Sequence, residues 1–569
     1  MKTFKKTWVA MAAASVLLAG CLGSGNSPRS QGDVVVLTTS NDLLTFNRTT
    51  PNDIRTRVTV TGLLSGDSFI GMDFRPRDRK LYAVARTLPG NGGRLYTIDT
   101  NTGVATVVAT LTAATGSTYT TLDPAATVFG VDFNPLADAL RVITNTGQNL
   151  RIVLNAGGGN GVGSTFEDGD INRTDASVTP FADSATAYTN SFDGTTSTRM
   201  FNIDVRNGNL IQQTVPNNGT SVVAAPLFAA ATTIQSIGEF DVDGSNNQGY
   251  ALMQVAGNLT FYRIALPDST ATLPVAGPAA TAVGVVPVSG VVGMSLALPT
   301  APEVVVLDGS TAGAQRLVKF GVRTPNTATT VNITGVASGE RLLSMDYRPS
   351  NGKLYALSSA GKIYVIDASS GAATLGSTLS AATAIVNGLA DGKQYTIDFN
   401  PAADALRIVS TPGATDTTSS NLRVPGAGLE STGATTTDTA LSGGTAGFAI
   451  TQVAYTNSFT GPAPAATRLF DLDAVNNQLL QQTNANGGTL ALIGSTTQTF
   501  NRYGGFNIAG GDNGMRLVAG RTGTTGVFSL FNVDLATGAV AAATAASGTN
   551  EIGTGATQAT DVQALTVRF

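Results

Sequence analysis

The chain has no histidine, one cysteine and one tryptophan in 569 residues. Without an imidazole there is no Ser-His-Asp or Cys-His catalysis, no imidazole zinc site and no haem ligation through histidine, because the base or ligand these need does not exist. A lone Cys21 excludes disulfides, a thiolate metal cluster and a thiol nucleophile within the domains. Trp8 stands in the amino-terminal apolar run, so the rest of the chain lacks indole platforms for sugars and leaves that role to Tyr and Phe. Charged residues are scarce, at 13%, and lean acidic: 34 basic side chains face 38 acidic ones, and setting aside Lys2, Lys5 and Lys6 leaves 31 against 38, a formal charge of −7. That balance argues against nucleic acid as a partner, since phosphates need a basic stripe.

What is present begins with an address. Lys2, Lys5 and Lys6 precede an apolar run from Trp8 to Leu18, and Ala19 and Gly20 stand directly before Cys21. This is the layout of a secretory signal, too short to remain as a membrane-spanning helix. Leu18-Ala19-Gly20-Cys21 resembles the lipobox of bacterial lipoproteins, in which cleavage precedes an acylated cysteine. Lipidation (palmitate among the acyl chains) is therefore expected on Cys21, and two or more chains anchor stably where one does not. Leu22, rather than Asp, favours the outer membrane of a Gram-negative cell envelope.

The remainder is duplicated. Val34-Val35-Val36-Leu37 returns as Val304-Val305-Val306-Leu307, and Met72-Asp73-Phe74-Arg75-Pro76 as Met345-Asp346-Tyr347-Arg348-Pro349. Asp132-Phe133-Asn134-Pro135 with Ala137 to Arg141 returns as Asp398-Phe399-Asn400-Pro401 with Ala403 to Arg407. Asn149-Leu150-Arg151 returns at Asn421-Leu422-Arg423, and Ala187 to Phe192 reappears unchanged from Ala454 to Phe459. Collinear matches of this kind define two tandem copies. The expected domains are a signal peptide over 1–20, a lipidated tether over 21–32, and repeats over 33–300 and 301–569.

Within each copy a shorter motif recurs: aromatic, any residue, aliphatic, Asp, then Gly or Asn four positions on. It stands at Asp99 with Gly103, Asp204 with Gly208, Asp367 with Gly371, Asp473 with Asn477 and Asp534 with Gly538. Alternating strand, Asx turn and a φ > 0 position make a hairpin, so these aspartates are expected to cap turns. About five groups of four strands per copy, with almost no helical periodicity, predict an all-β chain of two tandem β-propeller-like domains. One ten-bladed propeller and paired β-sandwiches are the alternatives. The last strand of each copy, Gly293 to Leu298 and Gln563 to Val567, is expected to pair beside that copy's first strand and close a ring.

The D-[FY]-[RN]-P hairpins, the capped turns and the Asn-Leu-Arg element together resemble the bacterial exported family known as domain of unknown function 4394. The resemblance covers both copies; it implies export and a shared fold, and no catalytic residue.

Several stretches are candidate sites. Glu167-Asp168-Gly169-Asp170-Ile171-Asn172 resembles the start of a calcium loop, with Asp168, Asp170 and Asn172 as ligands for Ca2+. Arg173 stands where an EF-hand needs glycine and Thr179 where it needs glutamate, so a solvated loop is the competing reading. Asp241 and Asp243 raise the same question, but the corresponding stretch at Asn507-Ile508-Ala509 lacks both carboxylates. Asp73, Asp132, Asp346 and Asp398, with Arg141, Arg407, Arg151 and Arg423, are placed where a propeller axis would gather them into a polar channel; the plainer reading makes the aspartates turn acceptors before proline. The glycine run from Gly157 to Gly163 has no following helix or Lys-Ser/Thr, so it does not read as a phosphate loop. Three functional classes follow: a non-enzymatic binding or scaffolding module with an envelope protein or glycan partner, a carboxylate-dependent glycan-active enzyme, and an outer-membrane assembly factor.

Overall fold

In the computed structural model the described residues are 29–569, without 156, 175–182, 501, 524–525, 544 and 547. Their strands form ten antiparallel sheets, five in each copy. Seven sheets have four strands, and three add a short fifth in parallel at the outer edge, at Thr112–Ala113, Asn172–Arg173 and Ser442–Gly443.

The sheets are propeller blades. In the first copy the innermost strands are Val291–Leu296, Asp67–Phe74, Phe129–Asn134, Asp183–Tyr188 and Ile234–Val242, and each packs beside the next until the last returns to the first. The second copy repeats the ring with Val562–Arg568, Leu342–Tyr347, Tyr395–Asn400, Ile450–Tyr455 and Arg502–Ala509. Closure is made as expected. Val34 pairs with Leu296 and Val36 with Met294, while Val304 pairs with Val567 and Val306 with Leu565. Two closed five-membered rings dispose of the single ten-bladed propeller and the β-sandwich pair.

The apolar runs explain themselves in this setting. Val34 and Val36 join one hydrophobic cluster while Val35 and Leu37 join another, so the strand is buried on both faces between neighbouring blades. Val304 and Val306, against Val305 and Leu307, do the same in the second ring. A strand with two buried faces shows an unbroken apolar run instead of alternation.

Around the rim, Asp99, Asp204, Asp367, Asp473 and Asp534 each accept backbone N–H bonds from the residues two and three positions on. The following Gly103, Gly208, Gly371, Asn477 and Gly538 all have φ between 51° and 80°, so the motif is a turn cap as read. Among the described residues one α-helix, Ala382–Ala390, interrupts the strands; it seats Ile385 in the core between two blades.

At the axis the inner strands converge until only a hydrogen fits at some positions. A Cβ on Gly130 would lie 2.4 Å from the Ser184 carbonyl oxygen of the next blade. Gly130→Val is therefore expected to lower stability by about 1–3 kcal/mol in chemical denaturation, the usual range for overpacking. Gly157→Ala, where nothing lies within 4 Å, should stay within about 0.5 kcal/mol of the parent.

Candidate functional site

Alternation along each inner strand aims one side chain per blade at the axis. In the first propeller these are Asp73, Asp132, Ala187, Asp241 and Ser295, and all but Asp241 precede a residue whose N–H donates to the previous blade. Asp73 accepts from Phe133 N–H (2.8 Å), Asp132 from Tyr188 N–H (2.9 Å) and Asp241 from Leu296 N–H (2.7 Å). Ser295 accepts from Phe74 N–H and donates to Asp73, while at the Ala187 position Val242 N–H turns back to Asp241. Glu239, two residues before Asp241, accepts from Val131 and Thr186 N–H on two other blades.

Three carboxylates thus bring oxygens within 4.8 Å of one another. Exposures are 3%, 2% and 5% for Asp73, Asp132 and Asp241, and 1% for Glu239. Burial drives all four upward. Asp73, Asp132 and Glu239 stand well above the ordinary carboxyl range, with Asp241 repelling Asp73 and both repelling Asp132, and Asp241 itself is pushed up to about 7. Such a cluster keeps protons near neutral pH. An all-oxygen donor set could equally hold a hard cation of the Ca2+ type.

The second propeller keeps Asp346, Asp398 and Ala454 but replaces the other positions. Asn507 stands for Asp241, Thr566 for Ser295 and Gly505 for Glu239. Asn507 Nδ2 (3.3 Å) and Thr566 Oγ1 (2.6 Å) both donate to Asp346, so of the two carboxyls at its axis one is relieved by neutral side-chain donors. Burial still raises both, Asp346 to about 6.

The arginines expected in this channel lie elsewhere. Arg141 is the cross-strand neighbour of Asp132, but its guanidinium runs outward to Tyr188 Oη (3.2 Å), Asn149 (2.8 Å), Asp168 (2.7 Å) and Asn217 (2.8 Å). Arg407 does the same with Tyr455, Asn421, Asp438 and Asn486 at 3.2, 2.8, 2.6 and 2.7 Å. Arg151 and Arg423 grip the same aspartates, both at 3.1 Å. The result, made twice, is a saturated cage that ties one blade to the next. A second cross-blade tie joins Arg75 to Asp138 (2.6 Å) and Arg348 to Asp404.

The expected calcium loop does not assemble. Asp168 is engaged by Arg141 and Arg151, Asp170 is exposed, and Asn172 donates to the carbonyls of Asp170 and Asn218. Among the described residues, the acidic group close enough to share an ion is Asp73, Asp132 and Asp241. In the sequence Asp241 raises, with Asp243, only a calcium question that the Asn507 counterpart weakens, and Glu239 carries no motif; both stand on the inner strand Ile234–Val242, two residues apart. Cys21 lies outside the described residues.

A raised carboxyl pKa stabilises the fold while the group holds its proton and costs stability once it ionises. For the first propeller that contribution is complete at the acid end, below the unfolded carboxyl range near 4, and is lost as pH rises through about 7 and beyond. The first half of the chain is therefore expected to melt higher at pH 5 than at pH 8. Asp241→Asn, which copies the second propeller, should flatten that dependence and raise the pH 8 melting temperature, followed by hydrogen exchange in residues 33–300.

The family model described as Domain of unknown function (DUF4394) matches residues 42–284 and again 316–555. A search of the curated proteins finds no match. Among solved structures the chain is similar to that called "Structure of Dos1 propeller", at 10% identity over 70% of this chain and 95% of that one, with a TM-score of 0.27. It is also similar to the β-propeller domain of Cps50 (Swd1) from Myceliophteria thermophila (11% identity, 70% and 97% covered, TM-score 0.23) and to a protein from Lactobacillus plantarum (16%, 66% and 97%, TM-score 0.26). At such scores these likenesses add nothing to the strand order described above. The two family matches cover most of the chain, and the protein belongs to the family of domain of unknown function DUF4394, with two copies in tandem.

Proposed function

We propose that this protein is an exported lipoprotein, anchored through acyl groups on Cys21 to the outer membrane of a Gram-negative cell envelope, whose paired propellers form a non-enzymatic binding or scaffolding module. The observation that carries the non-enzymatic part is the fate of the repeated charged residues. Asp73, Asp132, Arg75 and Arg141, with Asp346, Asp398, Arg348 and Arg407, are used in contacts between blades. Residues repeated for this purpose describe a rigid frame, and the surface it presents is left to do the binding.

The glycan-hydrolase reading fares worse on the same geometry. Hydrolysis needs an acid and a second carboxylate flanking an open bond. Asp73, Asp132 and Asp241 do lie close together, but they are at most 5% exposed and enclosed by five inner strands, so no sugar ring reaches them. Anchoring by lipid suits the apolar run before Cys21, which is too short to span. Among the described residues no helix is long and apolar enough to cross a membrane.

Metabolic labelling with an alkynyl fatty acid tests the anchor. Label is expected on the native chain and absent from Cys21→Ser, which should also leave the membrane fraction; an unlabelled native chain overturns the reading. Asp346→Asn and Asp398→Asn should each leave the partner interaction intact in pull-downs from envelope extracts.

A further inference from the structure

The two propellers meet through equivalent loops. Gly511 N–H donates to the Ser245 carbonyl (3.2 Å), and these residues occupy the same position in the two copies. Contact between equivalent residues marks an approximate two-fold axis. Each copy brings to that axis a loop, 190–199 or 457–468, and a hairpin turn around Asn247 or Asn513. Within each copy the two are joined alike: Asn190 N–H donates to Asn247 Oδ1 (2.7 Å) and Asn457 N–H to Asn513 Oδ1 (2.8 Å).

Across the axis the symmetry fails in one place. On one side Arg199 Nε donates to Asp512 (2.6 Å), Thr196 N–H to the Gly514 carbonyl (2.7 Å), and Phe192 packs edge-on against Phe569 at 5.1 Å. The mates on the other side are Arg468 for Arg199, Phe459 for Phe192 and Asn246 for Asp512. An amide at Asn246 brings no charge to match that of Asp512, and the loop there is two residues longer and carries Pro462 and Pro464. The half-interface stays open as a cleft of about 490 Å³, lined by Arg468, Phe459, Asn246, Asn457, Thr456 and Arg199 among others. Arg468 stacks over Phe470 at 5.2 Å, while Arg199 is spent on Asp512 and the Pro267 carbonyl. Asp268 shares the lining and feels the charge of both arginines, but its carboxylate bonds the N–H and hydroxyl of Thr270.

We propose that this cleft binds a small saccharide bearing a carboxylate, which gives Arg468 a directly bonded carboxylate like the one Asp512 gives Arg199. The volume is that of a small-ligand pocket. Asn457 Nδ2 donates to the Ala466 carbonyl and Asn246 Oδ1 accepts from Gln248 N–H, which leaves Asn457 Oδ1 and Asn246 Nδ2 for sugar hydroxyls, and half-buried Phe459 adds apolar surface to the lining. A guanidinium recognises a carboxylate by paired, charge-assisted hydrogen bonds. Neither copy alone contains this cleft, since its walls come from both. The inference rests on the binding-module reading and names its ligand class.

Calorimetric titration of the full chain in detergent with a uronic-acid trimer and with a neutral glucose trimer tests it. The uronate is expected to bind and the glucose trimer to bind at least tenfold more weakly. Arg468→Gln should erase that preference. Asn246→Asp should re-form the missing ion pair, abolish uronate binding and melt no lower than the parent, which separates a closed cleft from a damaged fold. Equal binding of both trimers, uronate binding untouched by both substitutions, or no uronate binding at all would each overturn the proposal. The Cys21 labelling is independent of all three results, so the anchor and the cleft fail separately; uronate binding untouched by the substitutions would place a site elsewhere and leave the binding module standing.

Discussion

A carboxylate on one inner strand accepting an N–H from the inner strand of the next blade is the contact on which both rings depend. An innermost strand is a sheet edge with unpaired backbone donors, and a buried donor without a partner costs more than its hydrogen bond is worth. Asp73, Asp132 and Asp241 answer that need in the first ring, and Asp346 and Asp398 in the second. The solution converges on the axis, so the acids that satisfy the edges must also face one another. In the first ring the resulting repulsion and desolvation push the carboxyls well above their ordinary range. In the second, Asn507 and Thr566 meet the same need with neutral donors.

This constraint explains which features could be read from the chain. Collinear repetition, turn caps at Asp99 and its counterparts, the unbroken Val34–Leu37 run and the closing strands are local patterns, and each leads to one structure. The aspartates before Phe or Tyr were also visible as repeated, and their placement at the axis followed from the blade arrangement. What could not be seen was the partner. Asp73 bonds an amide 60 residues away, Arg75 an aspartate 63 residues away, and Arg141 a tyrosine 47 residues away, and no spacing within a motif encodes those distances. The arginines were grouped with the aspartates because they are neighbours in sequence and register; the guanidinium is long enough to leave the axis and bond outward.

Repetition was also a misleading guide to sites. It directs attention to what both copies retain, and here the retained residues hold blades together. Asp241 and Glu239 are absent from the second copy, yet with Asp73 and Asp132 they make the most acidic point of the described interior. Divergence between copies that share a backbone is the better indicator, since a frame tolerates loss of a residue only where the frame does not need it.

The same logic bears on why the copies are fused. An isologous contact between identical propellers would make both halves of the interface alike, two closed or two open. A tandem chain lets the halves differ. Asp512 beside Arg199 closes one, with Phe192 packed against Phe569, while Asn246 and a longer, proline-bearing loop keep the other apart. The closed half carries the ion pair, the Thr196–Gly514 bond and the ring contact between the propellers. The arginine and phenylalanine of the open half are held in place at a cleft without being consumed by it, an arrangement a symmetric dimer of either propeller could not reach.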